Sequence, residues 1–210
     1  MNKFNPNKTT QRYNKTAAAY EDRWGNYLDH THRRFLESIE IEPNDTILDL
    51  SCGTGLLAKH IIERGDSFQQ LVLNDVAVDM QDHGRKRFKN RTDVSFTSFS
   101  AEAIDQPANH FDKIFSLSAF HNYPQQNKVL AQCHRILKPG GQLFILDWNR
   151  SGLFHFKNWV IKMMVPERVD SRSSDEIMAM LREQHFKITS VDEWYNHSWK
   201  FFYVISEKNN

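Results

Sequence analysis

Residues 47–55 read Ile47-Leu48-Asp49-Leu50-Ser51-Cys52-Gly53-Thr54-Gly55, and the break of an apolar run into glycines at this point decides the fold. Thr46 to Leu50 shows no polar alternation, the pattern of a strand buried on both faces. Ser51 to Gly55 ends that run sharply, and Leu56 to Arg64 resumes with helical spacing until Gly65, a residue suited to a helix C-terminus. Glycines suit a loop that a ligand must approach closely, and a helix N-terminus behind them favours anionic groups.

Working outward, the alternation repeats. Leu71-Val72-Leu73 reads as strand, Val76 to Phe88 as helix, Val94 to Thr97 and Phe111 to Leu117 as strands. Pro124 opens a predicted helix to Leu137, Lys138-Pro139-Gly140-Gly141 a turn, and Gln142 to Trp148 a fifth strand. Ser173 to Glu183 is a further helix capped by Ser173 or Ser174, and residues 186–205 form a hairpin closing near Asn196. Upstream, residues 9–38 are helical, because Tyr13, Ala17, Tyr20, Trp24, Tyr27 and Leu28 recur at three- and four-residue steps. The expected fold is α/β, a Rossmann-like, mostly parallel seven-stranded sheet with helices on both faces and a C-terminal antiparallel hairpin.

The chain has 210 residues, enough for one well-buried core, so a single domain over residues 1–210 is expected. Within it residues 1–40 form a helical lid and residues 152–172 an inserted segment. Formal net charge is +1, which gives no general pull toward nucleic acid, and the run Arg85, Lys86, Arg87, Lys89 and Arg91 reads as a solvated helix face. Cys52 and Cys133 form no CxxC pair, and His30 and His32 have no third ligand at metal spacing and read as surface residues, so neither a disulfide nor a metal site is suggested. The polar opening Met1 to Thr10 lacks a signal-peptide core and no run reaches bilayer length, so a cytoplasmic location is expected.

Two cofactor classes compete for the glycine loop. Gly53-x-Gly55-x-x-Ala58 satisfies the dinucleotide pattern, and Asp75 follows about 20 residues later, as a ribose-binding acid should. A nicotinamide or flavin oxidoreductase therefore has to be weighed. Asp49 separates the two: an acid at the mouth of the first strand repels a pyrophosphate, whereas the ammonium and sulfonium of S-adenosylmethionine (SAM) welcome it.

Residues 47–55 resemble the first motif of the class I SAM-dependent methyltransferases, LDLGCGTG, with Ser51 in place of its first glycine. The resemblance runs from Tyr13 to the C-terminal strand and is to the subgroup acting on small and lipid-like acceptors, which includes quinone-biosynthesis C-methyltransferases. Leu73-Asn74-Asp75 with Met80 is similar to the family's second-strand motif, whose acid binds the ribose hydroxyls. Ser100-Ala101-Glu102 resembles the loop reading the adenine edge, Phe111 to Leu117 the fourth strand, and Leu137 to Gly141 the KPGG turn. The resemblance implies SAM as cofactor, held by Tyr13, Tyr20, Asp49, Ser51, Gly53, Gly55, Asp75, Val76, Met80, Ala101, Glu102 and Ser116. Tyr20 lies in Ala18-Ala19-Tyr20-Glu21-Asp22, similar to the segment that folds over the cofactor.

Transfer from a sulfonium mainly requires alignment and exclusion of water, with a base only where the acceptor must lose a proton. His121, after the fourth strand, where the family fold borders the methyl group, is the candidate base, and Tyr20 the second candidate catalytic residue. No Asn/Asp-Pro-Pro-Tyr/Phe run follows that strand, which argues against nucleobase or glutamine methylation. The expected acceptor is a small molecule, with Tyr13, Tyr20, Trp24, Phe120, Tyr123 and Trp148 available to face a cationic amine. Leu153, Phe156, Val160, Met163 and Met164 make an apolar stripe that caps an acceptor pocket or rests on a membrane surface, the cap being favoured. A phospholipid head-group N-methyltransferase, a dinucleotide oxidoreductase and a catalytically silent SAM-fold interaction module are the alternatives.

Overall fold

The computed structural model describes residues 6–150, 170–196 and 199–209. They fall into two compact units, Asn7–Ser100 and, in the main, Ala101–Asn210.

The first unit holds α1 (Pro6–Leu36), β1 (Thr46–Asp49), α2 (Leu56–Arg64), β2 (Gln70–Asn74), α3 (Val78–Arg87) and β3 (Val94–Thr97). Its strands lie in the order β3-β2-β1, all parallel, with Asp49 opposite Leu73 and Asn74 opposite Thr97. Every residue of β1 is buried, which explains why that strand is apolar without alternation. α1 begins three residues earlier than its periodicity suggests, because Pro6 presets a helical φ at a position whose amide needs no partner. Its far end is held by the Arg64 guanidinium, which donates to the carbonyl of Leu36, an acceptor the helix leaves open, and to that of Ile39 in the segment that follows.

The second unit holds β4 (Phe111–Leu117), a 3₁₀ turn (Phe120–Asn122), α4 (Gln126–Ile136), β5 (Leu137–Trp148), α5 (Ser174–Glu183), β6 (Phe186–Asn196) and β7 (Trp199–Lys208). Their order is β4-β5-β7-β6, with β4 and β5 parallel and the other two pairings antiparallel. The expected hairpin is present, from Phe186 opposite Lys208 to Asn196 opposite Trp199. Ser173 caps α5 in a reciprocal box: its hydroxyl accepts from the Glu176 amide at 3.2 Å, while the Glu176 carboxylate accepts from the Ser173 amide at 2.7 Å.

Two boundaries differ from expectation. α4 starts at Gln126, not Pro124, since residue 123 ahead of the proline is extended and Gln125 stands outside the helical region. Lys138-Pro139-Gly140-Gly141 is not a turn ahead of β5 but a bulge inside it: Phe111 faces Leu137, and Lys113 already faces Gln142. A Cβ at Gly141 would stand 2.9 Å from the Lys138 carbonyl and 3.1 Å from that of Asp112, so only glycine lets the bulge close against β4. The apolar stripe of residues 153–164 lies outside the described residues.

Candidate functional site

In the first unit the chain leaves β1 at Asp49 and turns through two left-handed glycines, Gly53 at φ +53° and Gly55 at φ +77°. A side chain at Gly55 would be strained by the positive φ, and its Cβ would press on the Phe88 ring at 3.0 Å. The loop is tied to the end of β2 by several hydrogen bonds. The Cys52 amide donates to the Asn74 carbonyl at 2.8 Å, and the Gly53 amide donates to Asp75 Oδ2 at 2.9 Å. Asp75 Oδ1 accepts from the Ala77 amide at 2.8 Å, leaving lone pairs on both oxygens.

Asn74, which the sequence does not single out, is the buried clamp beneath this arrangement. Its amide donates to the carbonyls of Leu50 (3.0 Å) and Phe99 (3.1 Å), and its Oδ1 accepts from the Phe99 amide (3.0 Å) and the Thr97 hydroxyl (3.1 Å). Those four bonds use the whole capacity of the side chain and fix three strand ends together.

The electrostatics of this loop are one-sided. Burial pushes the Asp49 carboxyl up to about 7 against a bond from the Ser51 amide, and the like charge of Asp75 adds to the rise. Asp75 is raised by burial as well, against the two amide bonds. Among the described residues no basic side chain pairs with either. Burial, then Tyr13, Tyr27 and Asp75, hold the Tyr20 phenol well above its usual range.

α1 supplies one wall of the same loop. Tyr13 and Tyr20 meet edge to face at 6.1 Å and pack on Ala17, Ala77 and Met80, and the Met80 methyl would lie 3.4 Å from a Cβ at Gly53. Glu21, one residue on, receives the Arg87 guanidinium of α3 on both oxygens at 3.0 Å, and Arg87 also donates to the Thr54 carbonyl at 3.0 Å. Burial raises Glu21, but the bonds from Thr54 and Arg87 outweigh it and hold the carboxyl below its usual range. Arg87, expected on a solvated face, is thus a strut between α1, α3 and the glycine loop. Tyr13, Tyr20, Gly53, Gly55, Asp75 and Met80 are brought together, with Asp49 and Ser51 at the mouth of β1. Val76 stands at the surface, 47% exposed.

The second unit carries Ala101, Glu102, Ser116 and His121. Ala101 is buried, and Ser116, buried near the end of β4, lies 3.4 Å from the Tyr123 hydroxyl. His121 sits in the 3₁₀ turn, where Asp147 of β5 accepts from two backbone amides and meets the imidazole. Oδ2 accepts from the His121 backbone amide at 2.9 Å, while Oδ1 meets His121 Nδ1 at 2.7 Å and the Trp148 amide at 2.7 Å. The imidazole stacks on the Trp148 indole at 4.5 Å and 14°. Sequence reasoning misses Asp147; its one signal is a lone acid inside the apolar run Leu143 to Trp148. Of the aromatic residues expected at an acceptor, Trp24 is 40% exposed and paired with Tyr27 and Arg23, apart from the Tyr13–Tyr20 pair. No cluster of three or more metal-ligating side chains occurs among the described residues, and none of their helices is long and apolar enough to cross a membrane.

Residues 47–141 match the family described as "Methyltransferase domain". A ubiquinone/menaquinone biosynthesis C-methyltransferase of Hydrogenovibrio crunogenus is 35% identical over 121 residues, 56% of this chain and 48% of the relative. The chain spans about half the length of the curated relatives it matches. In fold, a chain from the complex of the Haloferax volcanii Trm112 methyltransferase activator superposes with TM-score 0.80 at 17% identity, over 92% of this chain and 94% of that one. An N-methyltransferase of Haemonchus contortus, in complex with phosphomonomethylethanolamine and S-adenosylhomocysteine, gives 0.75 at 16% identity over 94% of this chain and 58% of that one. These superpositions carry the Rossmann-like class expected from the strand and helix order.

Proposed function

We propose that this chain, a member of the class I SAM-dependent methyltransferases, moves a methyl group from SAM to a small hydroxylated aromatic ring. One observation supports the cofactor's seat: Asp49 is buried and Asp75 half-buried beside the glycine loop, with no cation of the described chain against them. Two desolvated acids without a countercharge fit a ligand that brings positive charge, and they oppose a pyrophosphate.

When bound, SAM supplies a methyl group on an already activated sulfonium. The chain's own residues then hold, align and exclude water. Asp75 offers its remaining lone pairs to ribose hydroxyls, Asp49 faces positive charge, and Tyr13 and Tyr20 of α1 cover the loop as a lid. The raised phenol of Tyr20 keeps its proton, so Tyr20 acts as a donor and wall, and proton removal falls to His121.

The ring acceptor is supported by relatives named for quinone C-methylation. On a hydroxylated ring, a hydroxyl that loses its proton makes the neighbouring carbon nucleophilic. An amine is the second reading, favoured by the indoles of Trp148 and Trp199, 5.5 Å apart, as faces for a cation. Calorimetry with SAM, S-adenosylhomocysteine and NAD, followed by labelled SAM offered with a demethylated quinol, an ethanolamine derivative or phosphatidylethanolamine vesicles, tests both steps. SAM binding and label in the quinol are expected. Label only in the ethanolamine pools would replace the ring acceptor with an amine, and NAD binding without SAM binding would overturn the cofactor.

A further inference from the structure

We infer that Asp147 is the positioning residue for His121, holding its ring as the Nδ1–H tautomer with Nε2 as the base that takes the acceptor's proton. The inference rests on the methyl-transfer reading above and adds to it a residue that no motif marks.

Every freedom of His121 but one is removed by a named contact. Its amide is bound by Asp147 Oδ2 at 2.9 Å, and its carbonyl accepts from the Asp170 amide at 2.9 Å. Its ring plane is set by the 14° stack on Trp148, and its rotation about that plane by the 2.7 Å contact from Nδ1 to Oδ1. The surroundings are braced in turn. Gln126 donates to the carbonyls of Phe120 (3.0 Å) and Asp170 (2.9 Å), and Arg172 donates to Gln126 Oε1 at 2.8 Å. A carboxylate accepts and cannot donate, so the shared proton sits on Nδ1 and the basic lone pair is forced to Nε2. In the step itself the acceptor's O–H bond breaks and an Nε2–H bond forms, giving an imidazolium stabilised by the ionised Asp147. That proton then passes to water.

Asparagine cannot stand in for Asp147. Its one oxygen can serve either the His121 amide or the Trp148 amide with Nδ1, and its NH₂ opposes an N–H group in both placements. Glutamate keeps two accepting oxygens. The test is nitrogen-resolved NMR of the His121 imidazole in the full chain, with transfer rates and SAM affinity measured on the same samples of wild type, Asp147→Asn and Asp147→Glu.

Wild type should show Nδ1–H with unprotonated Nε2 at neutral pH. Asp147→Asn should shift the ring toward Nε2–H and lower transfer by about 10²–10⁴-fold, with SAM affinity within about twofold of wild type. Asp147→Glu should restore the tautomer and part of the rate. Retained SAM affinity shows that the variant is folded. An unchanged tautomer in Asp147→Asn, or an unchanged rate with a changed tautomer, overturns the inference. A wild type that holds the Nδ1–H tautomer yet transfers nothing to any acceptor pool overturns the methyl-transfer reading, and the catalytic role of the base with it.

Discussion

Asp49 closes β1 and Asp147 is the last residue but one of β5; each ends a strand that has a parallel neighbour, and they are 4% and 3% exposed. Their surroundings are opposite. Asp49 has one backbone amide, from Ser51, and the like charge of Asp75 nearby, whereas Asp147 is surrounded by two backbone amides and an imidazole. The same residue type at the same depth is left wanting a cation in one unit and is used up by its own chain in the other. Burial alone therefore does not assign a carboxylate its task; the charges and donors around it do. Since strand C-termini are where open α/β sheets receive ligands, the contrast separates an acid that meets a ligand from an acid that aims another residue.

The contrast is broken most severely if removing the residue that Asp147 aims costs nothing. His121→Ala should lower methyl transfer by about 10²–10⁴-fold, the worth of a positioned base, while SAM affinity stays within about twofold. A rate near wild type would leave Asp147 as a backbone brace alone. The next effect lies on the opposite side. Asp75→Ala should weaken SAM binding by about ten- to a hundredfold, since hydrogen bonds to a charged group contribute about 1.5–3 kcal/mol. Its melting temperature should fall by a few degrees, because the Gly53 and Ala77 amides lose their acceptor. Unchanged calorimetric affinity would remove Asp75 from the ribose.

How much of this was legible in the sequence follows from where each partner lies. The glycine loop could be read because its constraint is local: positive φ at Gly53 and Gly55 is written into residue identity. The parallel strands could be read because burial on both faces leaves apolar runs. Asn74 could not, since asparagine after a strand resembles a turn residue and its four bonds go to three residues 23 to 25 positions away. Asp147 meets His121 across 26 positions, and nothing near it marks the contact. Lys138-Pro139-Gly140-Gly141 announced a break in regular backbone, but only the register against β4 reveals that the strand continues through it. Arg87 looked like an ordinary solvated charge on its own helix, and nothing marked Glu21, 66 positions away, as its partner.

A smaller effect sharpens the Asp49 half of the comparison. A cation binds the ionised carboxylate, and Asp49 titrates at about 7 in the protein alone. SAM affinity should therefore rise with pH, by about tenfold between pH 6 and 8, and level off above. Binding at pH 7 should release part of a proton, measurable by calorimetry in buffers of different ionisation heat. Asp49→Asn should bind SAM weakly at every pH and abolish the dependence. A flat wild-type profile would mean that Asp49 does not face the cofactor's positive charge.

The smallest effect concerns stability and sets Asp49 against His32, which its sequence places at the surface but which α1 packing buries beside His60. The His32 ring meets that of His60 edge to face at 5.6 Å. Burial, then the neighbouring His60, lowers His32 from 6.5 to about 3 against the attraction of Asp29. Between those values the unfolded chain binds one more proton than the folded one, so this histidine makes stability fall as pH drops below 6.5. Asp49 does the reverse. Raised from 3.8 to about 7, it leaves the folded state with one more proton in that interval, and stability falls as pH rises. The two slopes have opposite signs and overlap from about pH 4 to 6.5, where they cancel in the wild type. Each is about 1 kcal/mol per pH unit once incomplete titration near the end points is allowed for. Urea unfolding at pH 5 and pH 6 separates them. His32→Met should lose about 1 kcal/mol over that unit as the Asp49 slope is unmasked, and Asp49→Asn should gain about as much as the His32 slope is unmasked. Identical pH dependence in wild type and both variants would show that neither group is held in its neutral form by burial, and the cation-seeking character assigned to Asp49 would lose its basis.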